Sequence, residues 1–227
     1  MILFTNGCSW TYGGGLNLDT AAQEQERLAS TWPAHLGKLM GASEVVNLAE
    51  GCGSNDRIIR TTFEWLNKQS PERLKETIAV IQWTESSRYE YYIPETDEWA
   101  RCKIGVCLQN AEDYDTGLAR SEKRLETFTD EEGMYRLMSA HASMESILRH
   151  FGIKHYYWSL CGVSTMNNSY VEGFLSENYN WVKGTYPASI CMGWEYEVVG
   201  DSPWGYDLHP SFKGHQQIAK IIYDEIA

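Results

Sequence analysis

Three polar residues, one near the start of the chain and two near its end, could together activate a hydroxyl group. Ser9 stands in NGCSWT, directly after a short apolar run, and Asp207 and His209 stand in YDLHPSFKGH. A serine hydroxyl becomes a nucleophile when a histidine takes its proton, and a carboxylate that fixes the imidazole tautomer improves that base. These residue types predict nucleophilic catalysis, provided that the fold brings Ser9 to His209.

Neighbouring residues compete for the same roles. Cys8 could replace Ser9 as the nucleophile, but no Lys or Arg stands near it in the sequence to favour a thiolate, and we expect it to pack beneath the turn. The run Gly13-Gly14-Gly15 lacks the pattern of a phosphate-binding loop. His35 and His215 lie in helical segments and are interpreted as packing residues. No pair of residues has the spacing of metal ligands, so we predict neither a metal nor another cofactor.

Apolar patterning must supply the elements that position these residues. Strands are predicted in MILFT, EVVNLA, TIAVIQW and IKHYYWSL. Helices are predicted from Ser30 or Thr31 to Gly41, after Ser54, over DEEGMYRLMSAHASMESILRHFG, and in the C-terminal HPSFKGHQQIAKIIYDEIA. Strands that alternate with helices predict an α/β fold, a doubly wound parallel sheet between two helical layers.

The carboxyl ends of parallel strands meet at one edge of such a sheet, where these folds bind ligands. Ser9 and the loops EGCGSND and WTESSR each follow a strand, so we expect them to converge at this edge. Two long segments, about residues 86–120 and 161–206, interrupt the alternation and are interpreted as irregular, aromatic-rich insertions into a single domain spanning residues 1–227.

Composition narrows the classes of partner. The 227 residues carry 19 Lys and Arg against 31 Asp and Glu, a formal net charge of −12, which disfavours nucleic acid and anionic membrane surfaces. The six cysteines form no CxxC pair and are interpreted as free thiols. The sequence shows no secretory signal and no membrane span, so a cytoplasmic location is expected. The NGCSW opening is also similar to proteins of tailed phages, which would place a phage-encoded protein in its host cell.

Four blocks of the sequence together resemble the SGNH hydrolases, also called GDSL-type esterases. NGCSWT resembles the Gly-Asp-Ser segment with Cys8 in place of the aspartate, VVNLAEGCGSNDRI resembles the second block, and YDLHPSFKGHQQIA resembles the Asp-x-x-His-Pro block with one residue fewer. The third block, Gly-x-Asn-Asp, is replaced by IQWTESSR. The resemblance implies a flavodoxin-like three-layer α/β/α fold and a Ser9–His209–Asp207 triad.

The same resemblance implies an oxyanion hole built from backbone and side-chain donors. The N–H groups of Ser9 and Gly53 are expected to contribute, with Gly51 as the alternative to Gly53. Thr84, or Asn55 from the neighbouring loop, is expected to replace the missing asparagine. The residues that we expect to contact the substrate are Trp10, Trp83 and Arg88.

These residues predict a serine esterase that removes an acyl group from a carbohydrate or a small metabolite. The Asp-x-His spacing motivates an acyltransferase as an alternative. The missing Gly-x-Asn-Asp block and the aromatic insertions motivate a second alternative, a non-catalytic carbohydrate-binding module. The sequence predicts no oligomeric state.

Overall fold

Two β-sheets organise the computed structural model, which describes residues 1–16, 18, 20–103, 106–107, 128–159 and 209–227. The first sheet is parallel, in the order β2-β1-β3-β7, and consists of β1 (Ile2–Asn6), β2 (Glu44–Asn47), β3 (Thr77–Trp83) and β7 (Lys154–Ser159). The predicted strands and their parallel pairing are confirmed. The expectation of a single domain remains a prediction, and the insertion over residues 161–206 lies outside the described residues.

Helices cover both faces of this sheet, as its buried strands require. The helices are α1 (Ser9–Tyr12), α2 (Glu24–Ser30), α3 (Trp32–Met40), α4 (Asn55–Leu66), α5 (Pro71–Lys75), α6 (Asp130–His150) and α7 (Phe212–Ile226), with a 3₁₀ turn at Ala21–Gln23. In the part of the chain that the structure describes, no helix combines the length and apolar character that a membrane crossing requires. The three-layer α/β/α prediction is confirmed.

Successive strand residues point to opposite faces and build two separate cores. Leu3 and Val80 pack with α3 and α7 on one face, whereas Phe4 and Ile81 pack with α4, α5 and α6 on the other. Both cores reach the carboxyl edge of the sheet, so the loops that leave this edge start from fixed positions.

Helix boundaries follow the predicted capping signals closely. Thr31 is the N-cap of α3, which has Pro33 in its first turn and ends at Gly41 with φ +66°. Ser54 caps α4 by accepting the N–H of Arg57. The acidic segment before α3, for which no helix is predicted from the sequence, forms the 3₁₀ turn and α2.

The first insertion is more regular than the sequence reading suggested. Residues within the segment 86–120, interpreted as irregular, form an antiparallel sheet of β4 (Arg88–Ile93), β5 (Glu98–Lys103) and β6 (Val106–Cys107). Arg60 of α4 binds this sheet with Nε 2.8 Å and Nη2 2.9 Å from the two carboxylate oxygens of Glu90. The Arg60 guanidinium also lies 4.6 Å from the centre of the Trp99 ring. The β4–β5 hairpin therefore packs against α4.

Candidate active site

The chain leaves β1 in a direction fixed by the side chain of Asn6, which is completely buried. Asn6 Nδ2 lies 3.1 Å from the carbonyl oxygen of Ile58, 2.8 Å from Thr61 Oγ1 and 3.0 Å from Thr62 Oγ1, while its Oδ1 accepts the Gly7 N–H at 2.9 Å. A buried amide with both its donor and acceptor paired is a rigid anchor. Asn6 thus ties the start of the following turn to α4.

Beneath this turn lies Gln82, the penultimate residue of β3, whose side chain is also fully buried. Its Oε1 accepts the Cys8 N–H at 3.3 Å and the Thr11 hydroxyl, and Thr11 Oγ1 accepts the indole N–H of Trp32 at 3.3 Å. A Cβ on Gly7 would lie 2.6 Å from Gln82 Oε1, so only glycine fits there. Gln82 therefore couples the turn to the central strand.

The first residue of α1 is Ser9, which the fold brings to the histidine from the other end of the chain. His209 Nε2 lies 2.8 Å from Ser9 Oγ, across 200 residues of sequence. α1 ends at Gly13 with φ +96°, and His209 comes just before α7, where Ser211 accepts the N–H of Gly214 at 3.1 Å. The pair is a hydroxyl in contact with a base, as nucleophilic catalysis requires.

Gly14 packs against both members of this pair. Its N–H donates to the carbonyl of Ser9 at 2.7 Å. A Cβ on Gly14 would lie 3.1 Å from Ser9 Cβ, 3.1 Å from His209 Nε2 and 3.0 Å from His209 Cδ2. Its value of φ is not in the left-handed region, so space and not backbone conformation requires glycine at this position.

The loop between β2 and α4 contains a tight turn over residues 50–53. The N–H of Gly53 donates to the carbonyl of Glu50 at 3.1 Å, and Cys52, at the third position, has φ +59°. This is the pattern of a type II turn with a cysteine where glycine is usual. The Gly53 N–H, expected to hold the oxyanion, is therefore engaged within the turn. The Gly51 N–H, the alternative, has no acceptor in the part of the chain that the structure describes.

Asn55 and Thr84 form a pair, but they do not play equivalent parts. Asn55 Nδ2 donates to the Thr84 carbonyl at 3.1 Å, and the Thr84 N–H donates to Asn55 Oδ1 at 3.0 Å. The Asn55 amide thus holds the backbone at the end of β3. The Thr84 hydroxyl is buried and has no hydrogen-bond partner among the described residues. Of the two candidates for the missing asparagine, Thr84 therefore has its side-chain donor available.

Comparison with known proteins places the chain in a family. The model of a family of unknown function, DUF6071, matches residues 16–167, about two thirds of the chain. The chain belongs to this family. The match begins after Ser9 and ends before His209, so the Ser9–His209 pair lies outside the part of this DUF6071 protein that the family model covers. No curated protein matches its sequence.

Solved structures that match this DUF6071 protein include a protein of the G-D-S-L family from Desulfitobacterium hafniense DCB-2, which matches over 99% of its own length and 99% of this chain, with 11% identity and a TM-score of 0.50. The protein named TesA covers 98% of its own length and 100% of this chain, with 15% identity and a TM-score of 0.53. A carbohydrate esterase of family 2 with a carbohydrate-binding domain, from Corynascus thermopiles, matches over 64% of its length and 98% of this chain, with 11% identity and a TM-score of 0.50. At these identities the likeness establishes the fold and no more, and the predicted resemblance to SGNH hydrolases is confirmed at that level.

The two tryptophans expected to contact substrate lie in the cores of the DUF6071 protein instead. Trp83 has no exposed surface, its ring stacks on Tyr157 with centroids 6.0 Å apart, and its indole N–H donates to His141 Nδ1 at 3.1 Å. Trp10 is 4% exposed and lies 6.5 Å from Trp158, centroid to centroid, in the opposite core. The expected substrate contact is contradicted for both, because the last residue of β3 and the second residue of α1 pack against helices in a covered sheet.

Arg88, the third expected substrate contact, begins β4 and lies with Nε 3.4 Å from a carboxylate oxygen of Glu85. Asp207 lies outside the described residues, so its expected place beside His209 remains a prediction.

His215 is a packing residue, as expected: its Nδ1 accepts the Trp32 N–H at 3.1 Å, and burial lowers its pKa to about 3, with smaller contributions from His35 and His209. The described residues contain no cluster of three or more metal-ligating side chains.

Sequence reasoning missed the residues that hold the site together. Asn6, Gln82 and Gly14 were not singled out, although polar side chains at the ends of otherwise apolar strands are a readable signal. Asn6 directly follows MILFT as the last residue of β1, and Gln82 stands inside TIAVIQW, both at positions where an apolar residue would be expected. Gly14 carried no distinguishing signal within a run of three glycines.

Proposed function

We propose that this protein hydrolyses ester bonds, with Ser9 as the nucleophile and His209 as the base. The observation that carries the proposal is the 2.8 Å distance between Ser9 Oγ and His209 Nε2 at the carboxyl edge of the parallel sheet. An SGNH hydrolase fold and a serine at the end of its first strand support the same reaction class. We propose that Asp207 orients the imidazole, because it precedes His209 by two residues.

The reaction would proceed in two steps. Ser9 Oγ attacks the acyl carbon while its proton passes to His209 Nε2, and the resulting imidazolium gives that proton to the leaving alkoxide. A water molecule then attacks the acyl-enzyme and transfers its proton to His209, and Ser9 Oγ recovers a proton as the acid departs. The negative oxygen of each tetrahedral intermediate would accept hydrogen bonds from the Ser9 N–H and the Thr84 hydroxyl, with Gly51 as the backbone donor in place of Gly53.

The substrate class remains the one that the sequence suggests, an acyl ester of a carbohydrate or small metabolite. A carbohydrate esterase among the proteins of similar fold supports this choice. Acyl transfer to a sugar hydroxyl is the second candidate, favoured by the Asp207-x-His209 spacing. Both candidates pass through the same acyl-enzyme, so an added acceptor alcohol that diverts product from acid to ester distinguishes transfer from hydrolysis.

The test is a serine variant measured with two independent probes. Ser9→Ala should abolish hydrolysis of p-nitrophenyl acetate and covalent labelling by a fluorophosphonate, with the thermal unfolding midpoint unchanged within about 2 °C. Ser143→Ala is the matched control, because Ser143 is exposed on α6 and, among the residues that the structure describes, its hydroxyl bonds only the carbonyl of Ser139. Turnover in Ser9→Ala equal to that of the wild type would end the proposal, and absence of labelling in the wild type would favour the non-catalytic module.

A further inference from the structure

The turn over residues 50–53 is held from outside by an arginine of the inserted sheet. Arg101 of β5 donates from Nη1 to the carbonyl oxygen of Gly51 at 2.6 Å, and the same atom lies 3.2 Å from Glu50 Oε1. Glu50 is also 3.7 Å from Arg57, which in turn donates to the carbonyl of Leu48 at 2.9 Å. Arg57 and Arg101 thus bind the carbonyl groups of Leu48 and Gly51, which lie on either side of Glu50.

The carbonyl that Arg101 binds belongs to the central peptide of this turn. Type I and type II turns differ mainly by a rotation of that peptide through about half a turn, and only type II requires a positive φ at the third residue. Cys52 occupies that residue with φ +59°, a conformation that is unfavourable for a side chain with a Cβ. Turning the peptide over would relieve Cys52 but would take the Gly51 oxygen away from Arg101.

The same turn lies against the backbone that leads to Ser9. A Cβ on Gly53 would be 3.0 Å from the carbonyl oxygen of Gly7 and 3.7 Å from Cys8 Cα. A rotation of the central peptide reverses the Cys52 N–H together with the Gly51 carbonyl, and the turn that carries them packs against a chain that moves little because Asn6 and Gln82 anchor it. The orientation of the turn is therefore transmitted directly to the surroundings of the nucleophile.

We propose that Arg101 is a positioning residue, which holds the Glu50–Gly53 turn in its type II form beside Ser9 and so makes the inserted β4–β5 hairpin part of the active site. The catalytic part of this inference rests on the proposed esterase function. The conformational part, that Arg101 fixes the turn, can be measured independently of any activity.

Two measurements on Arg101→Met test the two parts. For hydrolysis of p-nitrophenyl acetate, kcat should fall about ten- to hundredfold with KM changed less than about twofold, because loss of the Arg101 anchor lets Gly51, whose N–H is the proposed backbone donor, move away from the transition-state oxyanion. The rate of Cys52 alkylation by iodoacetamide, followed by peptide mass spectrometry, should rise severalfold, because Cys52 is partly exposed and the released turn frees it. Arg73→Met is the matched control: it removes an arginine paired with Glu44 at 2.6 Å at the other end of the sheet, and neither quantity should change.

Two further variants separate positioning from general stability. Cys52→Gly added to Arg101→Met should recover most of the lost kcat, because glycine accepts the positive φ without strain. Arg101→Lys keeps the charge but not the planar donor group, so kcat and the Cys52 alkylation rate should change in the same directions but less. If Arg101→Met does not fold, the same two measurements on Arg101→Lys test the inference.

Unchanged Cys52 alkylation in folded Arg101→Met or Arg101→Lys overturns the inference, whatever happens to kcat. Faster alkylation with unchanged kcat overturns the catalytic part. If the wild type shows no esterase activity, the proposed function fails, while the alkylation rates still decide whether Arg101 holds the turn.

Discussion

Gly14→Ala should damage catalysis while leaving the fold almost intact. The added Cβ would lie 3.0–3.1 Å from atoms of both Ser9 and His209, closer than the ordinary van der Waals contact of about 3.5–4.0 Å. The two side chains must therefore separate or rotate by several tenths of an ångström, and the 2.8 Å distance between Oγ and Nε2 lengthens accordingly.

The expected loss follows from the sensitivity of catalysis to geometry. A misplacement of about 1 Å can cost about a hundredfold in rate, so several tenths of an ångström predict a loss of about tenfold in kcat. Stability should change by only about 1 kcal/mol, because the small overpacking is partly offset by the lower conformational entropy of alanine in the unfolded chain.

Gly41→Ala provides the reciprocal control. A Cβ at Gly41 meets nothing within 4 Å, but the residue closes α3 with φ +66°. Alanine there should lower the free energy of unfolding by about 1 kcal/mol and leave kcat unchanged. The assays are fluorophosphonate labelling of Ser9 and urea unfolding of both variants. Wild-type labelling kinetics in Gly14→Ala would refute the geometric reasoning, since the Cβ must displace one of the two reacting side chains.

Three further predictions concern buried polar groups. Thr84→Val should lower kcat about a hundredfold, because it removes a proposed oxyanion donor. It should also raise the unfolding free energy by about 1 kcal/mol, since the buried hydroxyl lacks a partner among the described residues. Thr84→Ser should retain activity, and equal turnover in Thr84→Val and wild type would exclude Thr84 as a donor. Gln82→Leu should destabilise the protein by about 2–4 kcal/mol in urea unfolding, because the Cys8 N–H and the Thr11 hydroxyl lose their acceptor; a loss below about 1 kcal/mol would contradict this account of the turn. Burial lowers the pKa of His141 to about 4, although the nearby Glu145 opposes the shift. The unfolded chain therefore binds this proton more readily, and the free energy of unfolding should fall by on the order of 3 kcal/mol as the pH drops from about 6.5 to about 4. His141→Gln should flatten the dependence of the unfolding free energy on pH over that range, and an unchanged slope would contradict this account.

The sequence was most informative where one physical signal dominates. TIAVIQW predicts a strand covered on both faces because its apolar run is almost continuous, and Ser54 and Gly41 mark helix ends because their roles are local. The pairing of Ser9 with His209 followed only from the resemblance to the SGNH hydrolases, because the alternation of strands and helices places Ser9, but not His209, at the carboxyl edge of the sheet.

Features that depend on relations between distant segments were harder to predict. In a strand buried on both faces, the sequence cannot show which side chains face ligand, so Trp83 was assigned to the substrate although it packs against Tyr157. The β4–β5 hairpin was overlooked because its turn, PETD, lacks the glycine that usually marks such turns, and its alternation of aromatic and charged residues was read as loop composition. The role of Arg101 follows only from three-dimensional contact with a turn 50 residues earlier.

The order in which the pair appears along the chain has a consequence for biosynthesis and proteolysis. Ser9 leaves the ribosome 200 residues before His209, which is joined to α7, and the packing of α7 against α3 closes one of the two cores. Under the proposed mechanism, Ser9 Oγ lacks its base until α7 docks, so the protein would not hydrolyse esters before then. A nascent chain, or a fragment cleaved before α7, would thus keep most of its parallel sheet yet not hydrolyse the ester. Esterase activity would therefore indicate that folding is complete.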